Sequence, residues 1–319
     1  MARTSIFYHL LRSLGPSSTM STFGLADANK QYVSSRGQQF QQLFQKIPAL
    51  RILYTSGEAD YDVLPVKEWV ATHWVVPITC VTVYLVGIFF GLRIMKDVKG
   101  AHKWFPRQLA AWNFLLATFS TIGALRTVPH LLNLIATTSF EDTICTPPDV
   151  EWGVGATGLW VQLFILSKIP ELWDTFYIVV RQRPLLFLHW YHHVTVLLYC
   201  WHSYATEAPQ ALYFVAMNYS VHAVMYAYYC LKALKIKPPI PDKAITTIQI
   251  LQMVVGTAIQ CSSMYFYSKD EGASCKVDYS NLVAGALMYG SYFCLFFKFA
   301  IERYFKKPDG AAKKAKKQA

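Results

Sequence analysis

Residues 183–193 read Arg-Pro-Leu-Leu-Phe-Leu-His-Trp-Tyr-His-His, with the histidines at positions His189, His192 and His193. The spacing i, i+3 and i+4 places three imidazoles on one face of a helix within about one turn. The residues that follow, 194–201, are almost all apolar. The cluster therefore begins a helix that enters a membrane, where ionisable groups are costly and usually functional.

The composition is typical of a membrane protein. Of 319 residues, 54% are hydrophobic and 15% are charged, which is below the charged share of a soluble domain. Several apolar runs reach the ~20 residues that span a bilayer, and open sheets cannot cross lipid. We therefore predict an all-α polytopic membrane protein. The net charge of +11 lies between apolar runs and at the C-terminus, which argues against a nucleic-acid partner.

Seven transmembrane helices are predicted, at residues 74–92, 109–135, 158–180, 185–201, 211–231, 244–267 and 279–299. Lysine and arginine are concentrated in the odd-numbered loops and in the C-terminal tail, whereas the second loop is acidic. The positive-inside rule then places the odd loops and the tail in the cytosol. We divide the chain into a polar, partly disordered region without assigned chemistry (1–72), the membrane domain (73–305) and a basic cytosolic tail (306–319).

Polar residues inside the predicted helices converge on one level. From the cytosolic ends, Asp174 lies roughly 9 Å deep, His192 roughly 10 Å, His222 about 13 Å and Gln252 about 12 Å, at ~1.5 Å per residue. A structural network of interhelical hydrogen bonds would also produce this convergence. A reaction chamber explains it better, because it also accounts for the ionisable groups.

Four motifs resemble those of the fatty acid elongase family of the endoplasmic reticulum: KIPELWDT at 168–175, FLHWYHH at 187–193, NYSVHAVMYAYY at 218–229 and TTIQILQ at 246–252. The resemblance extends over roughly residues 70–305, and the four motifs together are specific. It implies that the seven helices enclose an intramembrane acyl tunnel. It also implies a 3-oxoacyl-CoA synthase, which condenses long-chain acyl-CoA with malonyl-CoA and releases CO2 and CoA, without a cofactor.

Site residues follow from this chemistry. No cysteine lies at the depth of the histidines, so we predict His192 as nucleophile or base, supported by His189 and His193. His222 is expected as partner or oxyanion donor, and Asp174 to orient an imidazole. Substrate contacts are predicted for Lys168, Glu171, Asn218, Tyr226, Tyr229, Gln249 and Gln252, and contacts with CoA phosphates for Arg181, Arg183, Lys232 and Lys235. These four cations also fit plain topology signals. No metal ligands are predicted.

Trp190 and the residues after it resemble the branch that elongates saturated and monounsaturated C16–C18 chains. A polyunsaturated fatty acid elongase remains the alternative. The elongation cycle implies 3-oxoacyl-CoA reductase, 3-hydroxyacyl-CoA dehydratase and enoyl-CoA reductase as partners, membrane lipid as surroundings, and leaves a homodimer open.

Two other classes were weighed. A di-iron desaturase or hydroxylase also uses H-x-x-H-H, but it needs about eight histidines in several boxes. Of the nine histidines here, only His189, His192 and His193 form such a box. A seven-helix receptor or transporter fits the topology, yet it does not explain charged motifs that converge near the cytosolic side.

The predicted location is the endoplasmic reticulum membrane, with the N-terminus lumenal and the C-terminus cytosolic. Cys145 and Cys275 then fall in lumenal loops, where a disulfide is permitted, although two free thiols remain the alternative. Lys316 and Lys317 stand fourth and third from the C-terminus and resemble a dilysine retrieval signal. Attraction of a basic tail to anionic lipid is the other interpretation.

Overall fold

The computed structural model describes residues 24–34, 36–269 and 272–302. The N-terminal part of these forms a small cap built from a hairpin and three short helices. They are β1 (Tyr32–Val33), β2 (Gln39–Phe40), α1 (Leu43–Lys46), α2 (Ser56–Ala59) and α3 (Leu64–Thr72). The strands pair antiparallel, with Tyr32 opposite Phe40. The described residues between 24 and 72 thus form this cap, whereas residues 1–23, like the predicted tail 306–319 with Lys316 and Lys317, lie outside the described residues.

Helices cover each of the seven segments predicted to cross the membrane. They are α4 (Val75–Met95), α5 (Pro106–Thr137), α7 (Gly155–Glu171) with α8 (Trp173–Val180), α9 (Phe187–Ala205), α10 (Ala211–Ala233), α11 (Asp242–Ser268) and α12 (Tyr279–Ala300). A short helix, α6 (Asp142–Cys145), lies between α5 and α7. Four of the long helices, α4, α5, α11 and α12, are long and apolar enough to cross a membrane. Crossing by the others, which are more polar, stays a prediction.

Helix α4 shows what surrounds the bundle. Its side chains are apolar on all sides, and most are exposed: Val83, Phe89 and Phe90 each show half or more of their surface. An apolar helix that leaves most of its surface uncovered is expected to face lipid.

The third predicted segment is interrupted rather than continuous. Pro170 has no backbone N–H and cannot continue the helical ladder. Helix α7 therefore ends at Glu171, and α8 begins two residues later, with Leu172 capping both. The interruption changes which neighbours the polar residues on either side of it meet, as the site shows.

Helices α5 and α10 pack most extensively of all pairs of elements. Gly123 of α5 permits this approach, because a Cβ there would lie 2.4 Å from the ring of Tyr219. The main hydrophobic core surrounds this contact and includes Trp160, Phe164 and Leu212.

The cap and three loops meet at one end of the bundle, which we call the capped end. Arg36 of the cap contacts Asp149 at 2.6 Å and Glu207 at 2.8 Å, in the loops before α7 and α10. A disulfide joins Cys145 and Cys275, the pair predicted from the sequence, and ties the α5–α7 segment to the α11–α12 loop.

The cap also reaches into the bundle. Glu58 of α2 contacts Arg126 of α5 through two nitrogens, at 3.0 and 3.1 Å, and accepts a 2.6 Å hydrogen bond from the Trp160 indole. Gly155, which has φ +55°, leaves no room for a Cβ beside the amide of Gln42. The cap is therefore an integral part of the capped end.

The opposite end, which we call the open end, carries the loops α4–α5, α8–α9 and α10–α11. Gln182 donates to the carbonyls of Met95 and Val98, and Arg181 donates to that of His102. These bonds hold the first and third loops together beside the mouth of a cavity.

Candidate active site

A cavity of about 940 Å³ extends from the open end into the bundle. Helices α5, α8, α9, α10 and α11 contribute most of its walls, with Glu171 of α7 and Phe296 and Phe299 of α12 completing them. It is lined by all the predicted site residues in the bundle except Lys168, namely Glu171, Asp174, Arg181, Arg183, His189, His192, His193, Asn218, His222, Tyr226, Tyr229, Lys232, Lys235, Gln249 and Gln252. Four motifs that are far apart in the sequence thus share one cavity.

The three histidines of α9 lie together, as their spacing predicts. The ring centroid of His193 is 4.5 Å from that of His189 and 5.7 Å from that of His192. The helix begins at Phe187, so the histidines occupy its first two turns near the open end. The three imidazoles therefore lie only a short distance inside the bundle from its open end.

His189 is held by a pair of hydroxyl groups. Its Nε2 lies 2.9 Å from the Thr175 hydroxyl, which in turn lies 2.8 Å from the hydroxyl of Tyr84. Three helices, α4, α8 and α9, are connected through these atoms. Because either hydroxyl can donate or accept, the contact orients the ring without fixing which nitrogen carries the proton.

His192 is held through its backbone instead. The Tyr292 hydroxyl of α12 donates to the His192 carbonyl at 3.1 Å, and the Thr195 hydroxyl lies 2.6 Å from that of Tyr292. The Nδ1 atom of His192 is buried and has no hydrogen-bond partner among the described residues. No protein group in the described structure thus competes for this nitrogen.

Asp174 does not orient a histidine, which corrects the prediction. Its carboxylate accepts hydrogen bonds of 2.6 Å from the Trp112 indole and of 2.6 Å from the Tyr226 hydroxyl. Consecutive residues on a helix point about 100° apart. On α8 it is consequently Thr175 that meets His189, while Asp174 is directed toward α5 and α10.

Lys168 lies behind the cavity wall and is 2% exposed, so it does not meet the expectation of a substrate contact. Its ammonium contacts Glu171 at 2.7 and 3.0 Å and the Asn218 carbonyl oxygen at 3.3 Å. The Asn218 amide nitrogen lies 3.2 Å from Nε2 of His222. A line of polar contacts therefore runs from the buried ion pair to the histidine of α10.

Basic residues form the rim of the cavity at the open end. Arg181, Arg183, Lys232 and Lys235 line it together with Lys103. Burial, followed by the positive charge of Arg183, lowers the pKa of Arg181. Five cations thus stand together at the mouth of the cavity, where they would attract an anion.

Several lining or supporting residues were not anticipated from the sequence. The Trp112 indole donates to Asp174, the Tyr84 hydroxyl shares a hydrogen bond with that of Thr175, and Asn113 lines the cavity from α5. These residues lie in largely apolar stretches of α4 and α5 and belong to none of the four motifs. A hydrogen-bonding aromatic inside a membrane helix is the signal that would have identified two of them.

Comparison with known proteins agrees with this geometry. The model of the ELO: GNS1/SUR4 family matches residues 69–313, which include every lining residue. The chain belongs to the ELO family. Very long chain fatty acid elongase 6 of Drosophila melanogaster is 39% identical over 248 residues, covering 77% of this chain and 78% of that protein.

Vertebrate relatives give the same result for this ELO-family chain. Very long chain fatty acid elongase 6 of Gallus gallus is 37% identical over 77% of this chain and 91% of its own length. Very long chain fatty acid elongase 3 of Homo sapiens is 37% identical, with 78% and 89% covered. Enzymes so named are condensing enzymes of the acyltransferase type, and the ELO-family chain is an enzyme of this type.

Proposed function

We propose that this ELO-family enzyme condenses long-chain acyl-CoA with malonyl-CoA to give 3-oxoacyl-CoA, CO2 and CoA, the first step of a fatty acid elongation cycle. The observation that carries the proposal is the cavity itself. Five histidines line one apolar-walled space, four of them on α9 and α10, and the mouth of that space is rimmed with cations. Its volume of about 940 Å³ is within the range of small-molecule sites.

The anionic end of the substrate is expected at the rim. The phosphates of CoA would contact Arg181, Arg183, Lys232 and Lys235, while the acyl chain extends inward between the helices. Arginine and lysine at the mouth and apolar walls inside match a ligand that is anionic at one end and apolar at the other.

In the first half-reaction, we assign the nucleophile to His192. A ring nitrogen attacks the thioester carbonyl, the C–S bond breaks, and the CoA thiolate leaves with the proton that the imidazole loses. The acyl group then remains on His192 as an acyl-imidazole. The absence of a protein partner at Nδ1, among the described residues, supports this choice over His189 and His222, which are engaged through Nε2.

In the second half-reaction, malonyl-CoA loses its carboxylate as CO2, and the enolate that remains attacks the acyl-imidazole. The new C–C bond forms as the C–N bond breaks, and the imidazole takes up a proton. His222, which lines the same cavity, would donate a hydrogen bond to the oxyanion that develops in either step. No cofactor is needed for this sequence.

The proposed substrates are saturated or monounsaturated acyl groups of C16–C18 length, on the likeness of Trp190 and its neighbours to that branch. The enzyme would reside in the endoplasmic reticulum membrane with seven spans around an acyl tunnel, the capped end in the lumen and the open end in the cytosol. The reductases and dehydratase of the cycle would then take the 3-oxoacyl-CoA product on the cytosolic side, and a homodimer remains open.

The test is turnover of the purified enzyme in proteoliposomes with acyl-CoA and malonyl-CoA labelled in its free carboxyl group. Release of labelled CO2 that depends on acyl-CoA is expected for palmitoyl-CoA. His192→Ala is expected to abolish it. His202→Ala is the matched control, because His202 lies on the same helix but at the capped end, where it contacts Ser280. A wild-type rate for His192→Ala would refute the assignment, and a preference for polyunsaturated acyl-CoA would refute the substrate class.

A further inference from the structure

We infer that Lys168 is a positioning residue: acting through Asn218, it fixes the neutral Nδ1–H tautomer of His222, so that this histidine faces the cavity as a hydrogen-bond donor. The inference rests on the proposed function for its catalytic meaning, but its structural content is independent of it. Three contacts carry it, and they connect α7 with α10.

The first contact is that between the Lys168 ammonium and its acceptors. Its ammonium is buried, and its three N–H groups are matched by three acceptor atoms, two on Glu171 and one on Asn218. Glu171 also accepts a 2.9 Å hydrogen bond from Ser167. With these donors engaged and the side chain behind the cavity wall, Lys168 has no direct route to the substrate.

The second contact orients an amide. A lysine ammonium can only donate, so the Asn218 atom beside it must be the carbonyl oxygen. The amide NH2 group then points the other way, toward His222. The two orientations of an asparagine side chain exchange its oxygen and its nitrogen and are distinguished only by their hydrogen bonds. Without the ammonium, either atom of Asn218 could face His222.

The third contact determines which nitrogen of the His222 imidazole carries the proton. An amide NH2 group only donates, so Nε2 of His222 must accept the 3.2 Å hydrogen bond and cannot carry a proton. The proton of the neutral ring is therefore on Nδ1. An imidazolium is excluded as well, because its Nε2–H would face the amide hydrogens.

The consequence is that the histidines differ in whether their tautomer is fixed. His222 is locked as a donor, which suits a group that stabilises an oxyanion. His189 has a hydroxyl partner, which leaves either tautomer accessible. The buried pair of α7 thus sets the protonation of a histidine on α10 through the Asn218 amide.

Histidine tautomers are read directly by ¹⁵N NMR of the enzyme labelled in its histidines, without substrate. The His222 signals are assigned by their loss in His222→Gln. In the wild type, Nε2 is expected at the position of an unprotonated nitrogen and Nδ1 at that of a protonated one. A protonated Nε2 in the wild type would overturn the inference.

The decisive variant is Asn218→Asp. Its carboxylate keeps a partner for Lys168, but it can only accept, so Nε2 of His222 must become protonated. We expect the Nε2 signal to move to the protonated position and kcat to fall on the order of 100-fold, as for loss of an oxyanion donor. An unchanged Nε2 signal would overturn the inference. Asn29→Asp, on the exposed surface of the cap, is the matched control and leaves both unchanged.

The role of Lys168 is tested by replacing the ion pair with Lys168→Met and Glu171→Met together, since apolar residues of similar volume often replace a buried pair without loss of stability. We expect signals of both tautomers at His222. A single unprotonated Nε2 would show that Lys168 does not set the amide. If the tautomer signals behave as expected but the wild-type enzyme shows no condensation, the proposed function fails, while the control of the His222 tautomer by Lys168 stands.

Discussion

The two ends of the bundle use polar residues in opposite ways. At the capped end, charged groups are paired with one another: Glu58 with Arg126, and Arg36 with Asp149 and Glu207. At the open end, cations of three loops surround a cavity mouth, and four histidines lie beneath them. Charges at one end satisfy each other, whereas those at the other are available to a ligand.

This difference predicts how the two ends respond to substitution. Residues of the capped end hold the helices in place, so changes there should lower stability more than the turnover of the molecules that remain folded. Residues of the open end are proposed to contact the substrate, so changes there should alter turnover or KM and leave unfolding nearly unchanged. The experiments below test that separation, beginning with the largest effect.

Arg126→Leu leaves Glu58 buried without its cation and is expected to destabilise the fold by about 3–5 kcal/mol. Thermal unfolding in detergent measures the loss. Lys30→Leu is the matched control, because the Lys30–Asp60 pair is exposed and is worth at most about 1 kcal/mol. Equal unfolding temperatures for Arg126→Leu and the wild type, with reduced turnover, would contradict the claim that residues of the capped end act on stability rather than on turnover.

Removal of the disulfide should act in the same direction. Cys145→Ser with Cys275→Ser releases a bond between residues 130 apart in the sequence, and such a loss typically costs about 2–5 kcal/mol. Cys261→Ser, which changes an exposed free thiol, should have no effect. Non-reducing peptide mapping gives a direct check, since alkylation of both Cys145 and Cys275 in the native protein would contradict the bond.

Much of this arrangement follows from local sequence patterns. The helical spacing of the α9 histidines and of the polar residues on α10 predicts which side chains share a face, and the common depth predicts that the faces meet. The partners of Asp174 did not follow, because they are Trp112 of α5 and Tyr226 of α10, and sequence spacing within α8 does not show which neighbouring helix each of its faces meets.

The cap is a second part of the structure that local sequence patterns could not predict. Its pair Glu58–Arg126 joins residues 68 apart, and its strands are two residues long, so neither leaves a periodic signal in the sequence. The placement of Lys168 behind the wall likewise depends on which face of α7 meets α10, and motif spacing alone does not determine that.

A smaller effect at the capped end is its dependence on pH. Burial alone raises the pKa of Glu58, but hydrogen bonds from Arg126, Thr55 and Trp160 outweigh it and hold the pKa below its ordinary value. A carboxyl group with a lowered pKa stabilises the fold above its unfolded pKa of roughly 4.3 and loses that contribution as the pH falls through the folded value.

We therefore expect the difference in unfolding temperature between the wild type and Glu58→Gln to be constant at neutral pH and to shrink below about pH 4. Turnover of the folded fraction should not follow this change. A difference that grows on acidification would contradict the sign of the shift.

The smallest effect is expected at the rim. Arg183→Gln removes one cation from the rim where the CoA phosphates are proposed to bind. It should raise KM for acyl-CoA a few-fold, an effect that declines with added salt because exposed charges are screened. Unfolding should stay unchanged. Lys46→Gln removes the same charge from an exposed position of the capped end and should leave KM as it is. Equal KM changes for the two variants would remove the distinction between the ends.

The most direct test of the central claim is the covalent state of His192 when acyl-CoA is supplied without malonyl-CoA. Mass spectrometry of the peptides should show the acyl group on His192 in the wild type and in His202→Ala, and on no residue in His192→Ala. Addition of malonyl-CoA should remove it as labelled CO2 is released. Normal release of CO2 from an enzyme whose acyl group is found on a cysteine, or on no residue at all, would contradict the account.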